Sequence, residues 1–92
     1  MANVIITMKI MPESPDTDLS KIEEKAKEKI VAFAGEGDMK SEQEPVAFGL
    51  KALKILFVMA EDKGSTEELE KDIASVEGVN SVEVTDVRRA IG

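Results

Sequence analysis

The sequence has no cysteine, histidine, tryptophan or tyrosine, and its only aromatic residues are Phe33, Phe48 and Phe57. Without cysteine there is no disulfide, no thiolate nucleophile and no Cys-ligated zinc or iron–sulfur site. Without histidine there is no imidazole acid or base, no serine–histidine relay and no side chain that ordinarily titrates near neutral pH. Basic side chains are scarce as well, 12 against 19 acidic, for a formal charge of −7. A nucleic-acid binder needs Lys and Arg to neutralise phosphates, so direct nucleic-acid contact is not expected. The longest apolar run, Ile55-Leu56-Phe57-Val58-Met59-Ala60, is far short of the ~20 residues that span a bilayer. The first residues do not read as a secretory signal, which leaves a cytoplasmic location as the expectation. The glycines never fall as G-x-x-x-x-G-K-[ST] or G-x-G-x-x-G, and Gly35-Glu36-Gly37 carries an acidic residue, which would repel a phosphate. No nucleotide, cofactor, metal or small-molecule substrate of its own is therefore expected.

What remains is a chain of 92 residues, 42% hydrophobic and 34% charged. That composition is globular, and the length is enough for one domain, residues 1–92, with one modest core. Val4, Ile6, Met8 and Ile10 alternate with Ile5, Thr7 and Lys9, which predicts a strand over residues 3–11 closed by Pro12 and Pro15. Asp18 is a good N-cap. Leu19, Ile22, Ala26, Ile30 and Phe33 then recur at helical spacing until Gly35 and Gly37. Residues 39–47 are polar and contain Pro45, which suits a weak edge strand, and Phe48-Gly49 reads as a turn. Residues 51–60 form a strand with Leu53, Ile55, Phe57 and Met59 on one face. After the acidic turn Glu61-Asp62-Lys63-Gly64, Ser65 and Glu68 read as a capping box. The helix that follows carries Leu69, Ile73 and Val76 and stops at Gly78. The last strand runs from 79 to about 88 with Val82 and Val84 on one face.

The order β-α-β-β-α-β is that of the ferredoxin-like α+β sandwich, a four-stranded antiparallel sheet with both helices on one face. The first and third strands are the most apolar and are expected at the centre, as a parallel pair. The opposite face would then show Ile5, Lys9, Lys54, Leu56 and Val58.

Few residues offer chemistry. The pairs Glu23/Glu24 and Glu67/Glu68 read as solvated helix faces rather than acid/base partners. Glu61-Asp62 reads as an acidic turn rather than a cation site. An RNA-recognition domain needs aromatics on the central strands, where only Phe57 stands, with core parity. A small acyl-phosphate hydrolase needs an arginine-bearing anion loop, and the only arginines, Arg88 and Arg89, stand near the C-terminus. Two features stay open. Phe48 is either a hairpin residue packed on its own sheet or a large apolar anchor presented to a partner. Arg88-Arg89 is either a solvated strand end or a contact to an acidic or phosphate-bearing surface.

Three segments carry a resemblance: Phe48-Gly49-Leu50-Lys51-Ala52-Leu53, Val58-Met59-Ala60-Glu61-Asp62-Lys63, and Thr85-Asp86-Val87. In order and spacing the chain resembles the elongation factor 1-beta family, in its short archaeal form consisting of the exchange domain alone. The resemblance implies a ferredoxin-like fold and a guanine nucleotide exchange factor for the GTPase elongation factor 1-alpha, acting without covalent chemistry. It assigns partner contact to Phe48 in its motif with Gly49 and Lys51, and makes Arg88 and Arg89 basic candidates. The lysine next to the C-terminus of eukaryotic members has no counterpart here, so its role is not carried over. The competing expectation is a ferredoxin-like regulatory or assembly module that binds a ligand or partner through its sheet face.

Overall fold

The elements follow in the order β1 (Asn3–Pro12), α1 (Leu19–Ala34), β2 (Met39–Pro45), β3 (Lys51–Ala60), α2 (Glu67–Ala74) and β4 (Val79–Ala90). The structure is a computed structural model and describes residues 3–35, 37, 39–46, 49–61 and 66–90. The strands make one sheet in the order β2-β3-β1-β4. The two apolar strands are thus central and the two polar ones are edges, as the hydrophobic pattern implies.

β1 and β3 pair antiparallel, not parallel. Connectivity explains the correction. The α1 crossover returns the chain so that β2 points the same way as β1. The short connection after β2 then reverses the chain, so β3 must oppose β1. Every other pairing in the sheet is antiparallel as well.

The core lies between the sheet and the helices. Ile6, Met8 and Ile10 of β1 and Leu53, Ile55, Phe57 and Met59 of β3 face Leu19, Ile22, Ala26 and Ile30 of α1 and Leu69 and Ile73 of α2. Phe57 is 1% exposed, while Phe33 and Val76 pack against the margin of the core. Asp18 caps α1: its Oδ1 accepts from the Ser20 N–H at 3.0 Å. At the other end the Gly35 N–H donates to the Val31 carbonyl at 2.8 Å. The expected capping box on α2 is different in form. Ser65 lies outside the described residues, and Thr66 holds the N-cap position. The Thr66 hydroxyl donates to Glu70 Oε2 at 3.0 Å instead of capping the backbone.

β1 runs one residue past its expected end, because Pro12 still pairs with Val79. β2 closes at Pro45, at the rim of an edge strand where the missing N–H does no harm. Ala47, placed in that strand by the sequence pattern, lies outside the described residues. β4 is longer than expected and reaches Ala90. Gly78 precedes it with φ 94, in the left-handed region, and its carbonyl accepts from the Glu13 N–H at 2.9 Å. A β-carbon there would stand 2.9 Å from Thr17 Cγ2, so the position excludes side chains twice over.

The opposite face of the sheet carries Ile5, Lys9, Lys54, Leu56 and Val58, all half-buried. Lys9 and Lys54 stand directly opposite each other. Lys54 Nζ lies 3.7 Å from Glu42 Oε1, which offsets part of that repulsion. Among the described residues, no helix is long and apolar enough to cross a membrane.

Candidate functional site

The connection between β2 and β3 begins where Pro45 ends the ladder. The Val46 N–H donates to the Leu50 carbonyl at 2.8 Å, closing a short loop over residues 46–50. Gly49 turns the chain with φ 75, and nothing lies within 4 Å of where its β-carbon would be. Glycine is therefore suited to the backbone here rather than to the space around it. Lys51 follows, exposed, as the first residue of β3. A shallow groove beside the loop joins Gly49 and Lys51 to Pro12, Pro15, Thr17 and Asp18. Phe48 itself lies outside the described residues.

Arg88 and Arg89 stand elsewhere. Ile10 pairs with Leu53 at one end of the central strands, and Ile5 pairs with Arg88 toward the other. Extending the register puts Lys51 level with Pro12. The span along β1 from position 5 to position 12 is then about 23 Å, at ~3.3 Å per residue. The sequence-derived contact residues therefore divide between two ends of one sheet.

A β-bulge sets where the arginines point. Thr7 pairs with Asp86 and Met8 with Val84, which leaves Thr85 without an opposite residue. The Thr85 hydroxyl donates to the Thr7 carbonyl at 3.4 Å, inside the interrupted ladder. Before the bulge, Val82 and Val84 share the helix-facing side with Ile10 and Met8. After it, Val87 and Arg89 share the parity of Ile6 and Val4, while Asp86 and Arg88 share that of Thr7 and Ile5. Adjacent arginines thus project to opposite faces.

Each has an acidic partner. Arg88 Nε donates to Asp86 Oδ2 at 2.7 Å. Arg89 Nη2 donates to Glu61 Oε1 at 2.7 Å. That hydrogen bond, and then the charge of the same carboxylate, raise the Arg89 pKa above the ordinary guanidinium value. A raised pKa means the pairing is fully present below that value and is lost only as pH climbs past it, so Arg89 is no switch near neutrality.

The sequence reading missed Glu61 and Asp86 as partners, and Thr85 as the bulge. One signal was available. Val82, Val84 and Val87 are spaced two and then three apart, and a strand that keeps one face apolar through such a step must contain an extra residue.

Comparison with known proteins adds an independent finding. The family model described as the EF-1 guanine nucleotide exchange domain matches residues 5–90. Elongation factor 1-beta of Methanothermobacter thermautotrophicus is 44% identical over 89 residues, covering 97% of this chain and 98% of that protein. The protein of the same name from Methanosarcina barkeri is 47% identical over 90 residues, covering 97% and 99%. That of Methanococcoides burtonii is 46% identical over 91 residues, covering 99% and 100%.

Proposed function

The chain belongs to the family of EF-1 guanine nucleotide exchange domains, and from that premise we propose how it acts. It promotes GDP release and GTP loading on elongation factor 1-alpha during translation elongation. Residues 1–92 act as one exchange domain, in the cytoplasm, by binding rather than by covalent chemistry. The observation that carries this reading is the family match over residues 5–90.

The physics is a coupling free energy. The factor binds the nucleotide-free GTPase more tightly than the GDP-bound form, so GDP must weaken the factor's own binding by the same factor. Faster release also needs a lower exit barrier in the ternary complex, where each ~1.4 kcal/mol is tenfold in rate. No acid, base or cofactor takes part, which agrees with a sequence that has neither histidine nor cysteine.

Contact is made at both ends of the sheet. At one end, Phe48 inserts into the GTPase, with Gly49 shaping the loop and Lys51 beside it. At the other, the Arg88–Arg89 end supplies a basic contact. The Val46–Leu50 hydrogen bond, which ties together the residues flanking this segment, supports the anchor reading.

The test is release of fluorescent GDP from elongation factor 1-alpha. The wild-type chain should accelerate it. Phe48→Ala should fold normally and lose most of the acceleration. Equal release with the variant would remove the anchor assignment. No acceleration by the wild type would favour the sheet-face regulatory module, which no present observation supports.

A further inference from the structure

β4 is an edge strand held by one neighbour, β1. The Thr85 bulge interrupts that single ladder, so residues 86–90 hang on a short stretch of pairing beyond the break. Strand ends of this kind fray first. The Glu61–Arg89 contact supplies a second attachment. Glu61 directly follows β3, and β3 and β4 are not neighbours, since β1 runs between them. Val4 pairs with Met59 on one side and with Arg89 on the other. The ion pair therefore spans the width of β1 and joins three strand ends through residues 28 apart in sequence.

We propose that Glu61 and Arg89 form a strap that fixes the far end of β4, and with it Arg88, for docking on the GTPase. Arg89 is then a positioning residue that acts through Glu61, and Arg88 is the side chain that meets the partner. This rests on the exchange reading. The two arginines differ in what release would require. Arg88 pairs with Asp86 two residues away, on its own strand, and can exchange that partner for another without disturbing the sheet. Arg89 cannot leave Glu61 without freeing the strand end.

The experiment is a charge swap, comparing Glu61→Arg, Arg89→Glu and the double variant with the wild type. Amide hydrogen exchange is read at residues 87–89 in the chain alone, and GDP release is read with elongation factor 1-alpha. Each single variant should exchange those amides about fivefold faster and stimulate release about fivefold less, the scale of an exposed pair turned repulsive. The double variant should restore both. Unchanged amide exchange in the single variants overturns the strap. Restored amide exchange without restored release also overturns it, because Arg89 would then touch the partner itself. A wild type that does not stimulate release removes the exchange reading, while the amide comparison still decides the strap.

Discussion

Gly49 and Gly78 both hold positive φ, at 75 and 94, yet substitution should cost them differently. Open space surrounds the missing β-carbon of Gly49. Gly49→Ala should therefore lose only the left-handed backbone term, about 1 kcal/mol, or a fall in melting temperature of roughly 4–8 °C for a domain of this size. At Gly78 the added carbon meets Thr17 Cγ2 at 2.9 Å. Gly78→Ala should melt lower still, because a clash adds to the backbone strain. Thermal melts followed by circular dichroism decide the order, and equal melting temperatures would reject it. Gly49→Ala carries a second expectation. Its loss of GDP-release activity should exceed what the stability change explains if the turn at Gly49 serves the proposed contact.

At the scale of the element, the Thr85 bulge decides which face each residue at the end of β4 takes. Plain alternation from Met8–Val84 would set Asp86 opposite Ile6, on the helix-facing side. The extra residue places Val87 there instead, at an edge position that leaves it 59% exposed. Deleting Thr85 should straighten the strand while keeping Asp86 opposite Thr7 and Val87 opposite Ile6, so it should cost little more than the lost hydroxyl bond, about 1 kcal/mol. Thr85→Ala keeps the bulge and should lose only the hydroxyl's bond to Thr7, about 0.5–1 kcal/mol. Urea denaturation measures both, and a deletion several kcal/mol worse than the alanine variant would show that the bulge does more than set the register. The same bulge decides which face Arg88 takes and which Arg89 takes, so one local irregularity sets the surface chemistry of this end.

For the whole molecule, the proposed contact residues are spread along the sheet rather than gathered in one place. Principal extents of 42 × 21 × 18 Å make the domain elongated along its strands. Lys51 and Arg88 stand toward opposite ends of the strands, about 23 Å apart by strand rise. Sites so far apart act independently when the scaffold between them is rigid. Combining Phe48→Ala with Arg88→Ala should therefore sum the two single effects on GDP release to within about 0.5 kcal/mol. A marked departure from additivity would mean that the ends are coupled through the partner or the sheet. Phe57 stands in the scaffold between them, 1% exposed. Phe57→Ala should cost about 3–5 kcal/mol of stability, with activity lost in proportion to unfolding.

Much of this protein was determined by local pattern alone. Alternating Val4, Ile6, Met8 and Ile10, the helical stripe from Leu19 to Ile30, and the polar edges around Pro45 imply the element order and which strands are central. Those signals are short-ranged, since side-chain period and capping depend on residues a few positions apart. The absence of histidine and cysteine likewise excludes whole classes of chemistry by composition alone. Tertiary structure decided what depends on residues far apart in the chain. The antiparallel sense of β1 and β3 follows from how one crossover and one reversal combine. The direction of each arginine follows from a register that a single extra residue shifts. The pairing of Glu61 with Arg89 joins positions 28 residues apart, across a strand belonging to neither. No local spacing encodes a contact of that kind, because it exists only once the sheet has closed around β1.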